Sequence, residues 1–149
     1  MIKANIVIDN KIWKKKIKKP KIYFKKKLNK LSKLTSFKNK NQEFTLMLTN
    51  NKKMKDLNSK FRNKNVSTDV LSFPLKVKLK KNNLYLGDIA ISFEIINRRS
   101  KSSSFDHELD KMWIHGYLHL LGHDHKKDKD YYLMKRKENL IFKKLNKIN

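Results

Sequence analysis

The five histidines of the chain carry its clearest chemical signal, because all of them fall between residues 107 and 125. His115 and His119 are four residues apart, so on a helix both imidazoles lie on one side, one turn apart. Gly122 is placed to end that helix in a left-handed conformation, which lets the chain turn and brings His125 back toward the same point. The spacing predicts three ligands for one ion and an open fourth position, the arrangement of catalytic zinc rather than of a closed structural site.

The surroundings of these histidines favour a functional role. Residues 113–121 hold no charged side chain, and a buried helix accommodates two histidines only when they have partners. Two core histidines bonded to backbone are the structural alternative. His107 is expected at the surface or near the helix start. His123 follows His119 so soon that it has less chain with which to turn back toward the ion than His125 has.

Two neighbouring positions bear on the class of reaction. Gly116 stands where zinc peptidases of the H-E-x-x-H type carry their general-base glutamate, so a peptidase mechanism lacks its base. Asp124, beside His125, is predicted to accept a hydrogen bond that fixes an imidazole or the turn, and a role toward the attacking water stays open. Neutral imidazoles favour zinc, although nickel, copper and iron also accept them.

The composition of the chain limits the classes of partner and of metal site that are expected. The 149 residues include 38 Lys or Arg against 13 Asp or Glu, a net charge of +25. This charge favours a polyanion such as nucleic acid, with a codon bias toward Lys and Asn as the alternative source. The absence of cysteine excludes disulfides and cysteine-ligated metals. Because no apolar run approaches ~18 residues and the opening lacks an apolar signal sequence, we expect a soluble, cytoplasmic protein without a membrane partner.

Hydrophobic periodicity predicts the elements that position these residues. Alternation predicts strands at 2–8, 44–48, 68–73 and 84–93, the third being closed or confined to a sheet edge by Pro74 and followed by a basic connection at 76–83. Helical spacing predicts two basic pieces before residue 40, broken at Pro20, and helices at 50–61, 94–101, 106–121 and 131–145. The order predicts one α+β domain over residues 1–149, with helices on a mixed four-stranded sheet and the metal site on a central buried helix.

The histidine segment closely resembles the YbeY family, bacterial rRNA maturation factors that are zinc-dependent endoribonucleases. The family's H-G-x-L-H-L-x-G-x-D-H runs here from His115 to His125 without a mismatch. The segments LNSKFRNKNVSTDVLSFP and LGDIAIS are similar to the family as well, so the resemblance covers most of residues 57–125. Met134 and Glu138 on the last helix also match, whereas the lysine-rich first 40 residues match only in layout.

The resemblance implies a set of roles. His115, His119 and His125 would bind one zinc ion per chain, His115 would also belong to the catalytic machinery, and Arg62 would be the family's functionally important arginine. The implied substrate is single-stranded RNA, notably precursor rRNA at the small-subunit 3′ end. The implied setting is ribosome maturation and quality control, with the ribosome or its small subunit as partner. The family's mixed sheet with the metal helix packed on it agrees with the α+β prediction.

With the RNA substrate that the resemblance implies, the expected reaction is the hydrolysis of a phosphodiester bond. Zinc would polarise a phosphate oxygen and activate water, while the planar guanidinium of Arg62 would hold a non-bridging oxygen. The lysine-rich N-terminal helices and the run at 76–81 are the predicted RNA track. Tyr23, Phe24 and Tyr85 are candidates for stacking on bases, although core packing is the favoured role for such aromatics.

Alternatives to this mechanism remain at the level of sequence. Asp69 and Thr68 are expected to shape the turn and strand rather than to do chemistry, with Thr68 and Ser72 as alternative hydrogen-bond donors to phosphate. A zinc peptidase-like hydrolase is disfavoured by Gly116 and by the positive charge. A non-catalytic RNA-binding assembly factor with a structural metal would need a fourth protein ligand, for which His123 and Asp124 are the candidates.

Overall fold

One mixed sheet of four strands organises the computed structural model, which describes residues 1–147. The strands are β1 (Ile2–Ile8), β2 (Gln42–Thr49), β3 (Val70–Lys78) and β4 (Leu84–Ser92), in the order β1-β2-β4-β3. β1, β2 and β4 are parallel, and β3 is antiparallel to β4. This confirms the predicted α+β class with its mixed four-stranded sheet. Residues 148 and 149 of the predicted domain lie outside the described part.

Helices cover this sheet. Within the described range they are α1 (Pro20–Lys33), α2 (Asn51–Arg62), α3 (Phe93–Arg99), α4 (Phe105–Leu120) and α5 (Asp128–Leu145). The predicted break at Pro20 is confirmed, since a 3-10 turn at Lys11–Lys15 precedes it and α1 begins on it. α5 begins three residues earlier than predicted, because Asp128 and Asp130 supply the acidic first turn that a helix dipole favours. None of these helices is long and apolar enough to cross a bilayer.

The strand β3 is longer than its sequence predicts. The segment was expected to close near Pro74, yet pairing with β4 continues to Lys78. A register shift between Pro74 and Val77, with Lys76 in the left-handed region at φ 56°, accommodates the proline. A bulge of this kind is tolerated because β3 is an edge strand, whose outer side makes no ladder bonds. The predicted confinement of Pro74 to an edge is therefore confirmed, and the predicted loop at 76–78 is wrong.

The sheet separates two apolar layers. The larger contains 24 buried residues, among them Trp13, Phe24 and Trp113, and the smaller consists of Met54, Leu71 and Ala90. Ten of the 16 residues of α4 are buried, which confirms the predicted central buried helix. Each fully buried large apolar side chain contributes roughly 1.5–3 kcal/mol to stability, so packing alone fixes the position of α4 strongly.

A buried carboxylate ties α1 to α4. Asp110 is 1% exposed and accepts hydrogen bonds from Tyr23 Oη at 2.6 Å, Lys27 Nζ at 2.7 Å and Trp113 Nε1 at 3.0 Å. Burial and the charge of Asp110 raise the pKa of Tyr23, so its hydroxyl stays protonated and donates. Lys27 Nζ also donates to Asn146 Oδ1 at 2.7 Å, which joins the end of α5 to the same group.

Removing this acceptor should weaken the fold. We expect Asp110→Ala to lower the free energy of unfolding by about 3 kcal/mol, because a half-buried ammonium and two further donors lose their shared acceptor. Urea denaturation followed by circular dichroism measures the change. Asp56→Ala, at an exposed site on α2, is the matched control and should stay within about 0.5 kcal/mol of the parent protein. Equal effects of the two substitutions would contradict the role given to Asp110.

Candidate metal centre

Three histidine side chains converge where α4 ends. His115 Nε2 and His119 Nε2 lie 3.0 Å apart on the helix, and His125 reaches them from the following loop. One ring nitrogen of each histidine lies within 4.8 Å of the other two. Metal–nitrogen bonds of ~2.0–2.1 Å in a tetrahedral site put ligand nitrogens about 3.3 Å apart, so a small adjustment of these rings would let all three bind one ion. The three histidines predicted from their spacing are thus brought together.

A glycine turn returns the third histidine. Gly122 has φ 99°, and its N–H donates to the carbonyl of His119 at 3.0 Å, while the N–H of His123 donates to that of Leu118 at 3.0 Å. These two bonds are those of a Schellman ending, in which a left-handed residue closes the last helical turn. The predicted left-handed conformation of Gly122 is confirmed, and the chain reverses in time for His125 to face α4.

The second nitrogen of each helical histidine already has a partner. His115 Nδ1 bonds to Glu138 Oε1 on α5, and His119 Nδ1 donates to the carbonyl of His123 at 2.9 Å. Such partners fix the ring orientation and leave Nε2 for an ion. Burial, followed by the neighbouring His115, lowers the pKa of His119. Burial favours protonated Glu138, but the hydrogen bond and charge of His115 outweigh burial and lower its pKa.

The remaining polar side chains near the centre point to other partners. His107 is exposed, and its ring packs edge-on against Phe142 with centroids 4.7 Å apart. His123 Nε2 lies 3.3 Å from Lys137 Nζ. Asp124 Oδ1 accepts the N–H of His125 at 2.7 Å, a bond that fixes the turn and lowers the pKa of Asp124. Within residues 1–147 the cluster therefore has three members, and the predicted turn-fixing bond of Asp124 is confirmed.

A cleft of about 660 Å³ opens over the histidines. One wall comes from the end of α2 and from residues 64–72, and the other from the loop 122–126. Arg62 belongs to the first wall: its Nη2 donates to the carbonyl of Ser72 at 3.0 Å and its guanidinium lies 5.8 Å from the ring centre of Phe73. The arginine singled out from sequence thus lines the same cleft as the histidines.

The sequence does not single out Lys64 and Lys126, which line this cleft. Lys76, which belongs to the RNA track predicted at 76–81, has its Nζ 3.5 Å from where a Cβ on Gly122 would stand. Lys27, in the basic N-terminal region, instead neutralises buried Asp110. In a chain with 38 Lys or Arg, composition cannot tell these roles apart. The bulge in β3 that turns Lys76 toward the cleft has no signal in the local sequence beyond the preceding proline.

Gly116 allows α4 to approach the sheet closely. A Cβ at this position would lie 2.9 Å from Ile89 Cγ2, closer than real side chains come, and 3.2 Å from Ser72 Oγ, a tight contact. Ser72 Oγ donates to the carbonyl of Gly116 at 3.1 Å, so its hydrogen is used inside the protein. Thr68 Oγ1 likewise donates to Asp69 Oδ1, at 3.3 Å. Because a Cβ at position 116 would already press on Ile89 and Ser72, a glutamate would have no room there in this arrangement.

The aromatic residues proposed for stacking are held within the fold. Phe24 is 1% exposed, and Tyr23 donates to Asp110. Tyr85 Oη lies 2.6 Å from Thr45 Oγ1 and also bonds to Asp88. Burial and the bond to Asp88 raise the pKa of Tyr85, with Thr45 acting in the opposite direction. The favoured role in core packing is confirmed for Phe24.

The fold and the site together define a class of protein. A mixed sheet carries a buried helix with two histidines, and a glycine turn returns a third beside an arginine-lined cleft. This is an α+β protein with a candidate three-histidine metal centre.

Comparison with known proteins identifies the family. Residues 7–146 match the family described as Endoribonuclease YbeY, and the chain belongs to that family. Endoribonuclease YbeY of Pelagibacter ubique is 48% identical, over 96% of this chain and 95% of that protein. The Ehrlichia canis protein of the same name is 38% identical, over 99% and 93%. The solution structure of TM1509 from Thermotoga maritima superposes with a TM-score of 0.62 at 25% identity, covering 97% of this chain and 89% of that one.

The bond from His115 to Glu138 should tune metal affinity. We expect Glu138→Gln to weaken zinc binding about 10- to 100-fold, because the amide orients the imidazole less firmly and no longer raises its basicity. Competition with a chromophoric chelator measures the dissociation constant. Glu43→Gln, on β2 and outside the cluster, is the matched control and should bind zinc as the parent protein does. Unchanged affinity in Glu138→Gln would show that the α5 carboxylate does not serve the site.

Proposed function

We propose that this chain is a zinc-dependent, single-strand-specific endoribonuclease that acts in rRNA processing at the small-subunit 3′ end and in ribosome quality control. The observation that carries the proposal is the convergence of three histidine nitrogens in a cleft that Arg62 also lines. The relatives from Pelagibacter ubique and Ehrlichia canis both bear the name endoribonuclease, which supports the reaction class. RNA, and a ribosome or small subunit that presents it, are the proposed partners.

The donor set suits zinc. His115, His119 and His125 would hold the ion, with Glu138 and the carbonyl of His123 orienting the first two rings. When bound, zinc supplies polarisation of a phosphate oxygen and a lowered pKa for attacking water. The lowered pKa of His119 supports this role, because a neutral imidazole is the form that binds a metal.

The chain's own residues would hold and orient the phosphodiester. Arg62 donates one hydrogen bond from Nη2 to the carbonyl of Ser72 and lies near the ring of Phe73. The other N–H donors of its planar guanidinium are available to a non-bridging oxygen. An arginine already positioned needs little reorganisation when charge grows in the transition state. His115, proposed as catalytic as well as ligating, acts through Nε2 because Glu138 holds Nδ1.

Surface charge supports a nucleic-acid substrate. Lys64 and Lys126 line the cleft, and Lys76 Nζ lies close to Gly122 in the wall formed by the loop 122–126. Contacts of this kind neutralise phosphates and raise affinity without choosing a sequence. The remaining lysines, including the N-terminal region and the run at 76–81, stay a proposed outer track.

Two other functions are less well supported. A structural metal would be closed by a fourth ligand, whereas His123 and Asp124 are turned to Lys137 and to the backbone of His125. A peptidase would need a base beside the first histidine, and the packing at Gly116 leaves no space for one. Both arrangements favour the nuclease.

The decisive experiment is cleavage of a labelled single-stranded RNA by protein of known zinc content. We expect activity at about one zinc per chain, lost in His119→Ala and on addition of a chelator. Arg62→Ala should keep its zinc yet lower kcat about 100- to 1,000-fold, as the loss of one oxyanion donor does. His107→Ala and Arg98→Ala, at exposed sites outside the cleft, are matched controls that should retain activity.

Other outcomes would select a different function. RNA binding with absent or metal-independent cleavage would favour the assembly factor. Cleavage of casein without cleavage of RNA would revive the peptidase-like hydrolase.

A further inference from the structure

We propose that Tyr131 and Lys135 on α5 form a nucleotide subsite beside the metal centre. The ring of Tyr131 stacks on the base of an unpaired nucleotide, and the ammonium of Lys135 contacts the adjoining phosphate. The inference rests on the proposed RNA substrate and deepens it, since it assigns a second wall of the site.

The histidines border a second recess besides the large cleft. This recess, of about 70 Å³, is lined by His115 and His125 together with residues of α5 that include Tyr131 and Lys135. It shares these two histidines with the cleft that contains Arg62. The recess is too small to enclose a nucleobase, so a base would lie over the exposed ring of Tyr131 at its rim.

The tyrosines of the chain separate into two kinds. Of the five, Tyr23, Tyr85 and Tyr117 bond through their hydroxyls to polar side chains inside the fold. Tyr131 and Tyr132 on α5 are instead 47% and 70% exposed. Tyr131 lines the recess at the histidines, whereas Tyr132, its neighbour in sequence, lies outside that lining. The ring of Tyr131 packs edge-on against that of Tyr132, with centroids 5.5 Å apart, and core packing does not account for its exposed face beside the histidines.

Lys135 completes the subsite. It lies one turn after Tyr131, so both side chains share one face of α5. Its Nζ is 3.7 Å from Glu138 Oε2, and its side chain is 49% exposed, which leaves the ammonium accessible beside the carboxylate that holds His115. An aromatic face next to a cation is the combination that binds single-stranded nucleic acid without sequence choice.

The subsite predicts a path for the RNA strand. The scissile phosphate lies at the histidines between Arg62 in the large cleft and Tyr131 in the recess. A base held on Tyr131 fixes one flanking nucleotide, which a paired strand cannot offer because its bases are stacked on each other. Preference for single-stranded RNA follows from this geometry.

The test compares neighbouring tyrosines on protein of verified zinc content. We expect Tyr131→Ala to raise KM for single-stranded RNA about 5- to 100-fold and Tyr131→Phe to behave as the parent protein. Tyr132→Ala removes only an edge contact to the ring of Tyr131 and should change KM much less than Tyr131→Ala does. A series of the same RNA carries one abasic nucleotide, placed in turn at each position that flanks the cleavage point. At one of these positions, removal of the base should raise KM for the parent protein but not for Tyr131→Ala. Equal KM values for Tyr131→Ala and Tyr132→Ala, or no such position, would overturn the subsite.

Binding measurements separate this inference from the proposed function. If zinc-loaded parent protein fails to cleave RNA, the nuclease proposal falls, but fluorescence anisotropy with the same oligonucleotides still decides the subsite. A higher Kd for Tyr131→Ala than for Tyr132→Ala supports the subsite, and equal Kd values overturn it. Lys135→Ala should also reduce the slope of log Kd against log salt concentration by about 0.7 relative to Lys55→Ala on α2. An unchanged slope would contradict the proposed contact between Lys135 and phosphate.

Discussion

The close approach of α4 to the sheet is the constraint on which the site depends. Gly116 faces Ile89 and Ser72 with no space for a side chain. Successive helical residues are rotated by about 100°, so His115 and His119 both lie on the same flank of α4, about 100° and 60° from the buried line. That flank looks toward β3 and its open edge, where the cleft lies. A bulkier residue at 116 would turn or lift the helix, and both imidazoles would move with it.

Contacts from outside α4 orient the two imidazoles that the helix carries. α5 is anchored by buried Met134, Ile141 and Leu145, and this anchoring sets Glu138 against His115. The glycine turn sets the carbonyl of His123 against His119 within a few residues of the helix end. One imidazole is thus oriented by local backbone and the other by a distant helix, so global stability and geometry of the site are coupled.

This division explains how far the sequence predicts the structure. Asn50 caps α2 and Gly122 ends the helical turn after α4, as their local sequences indicate, because caps and turns depend on neighbours in the chain. The bond between His115 and Glu138 and the approach of Lys76 to Gly122 depend on α5 and on the β3 bulge. No periodicity within either segment encodes such contacts, and the resemblance to YbeY proteins marks Glu138 as matching without giving its contact.

Charge acts on two scales in this protein. Lysines spread over the surface attract a polyanion through their summed field, which salt screens beyond about 8 Å, and the sum depends little on the exact position of any one of them. Arg62, in its proposed role, would act at contact, and the carbonyl of Ser72 and the ring of Phe73 fix where its guanidinium lies. Arg99 reinforces the same wall by pairing with Asp69 at 2.8 Å. A codon-driven excess of lysine is therefore compatible with the proposed nuclease function, because attraction by the summed charge tolerates changes in the positions of individual lysines, while the few positioned groups would carry the chemistry.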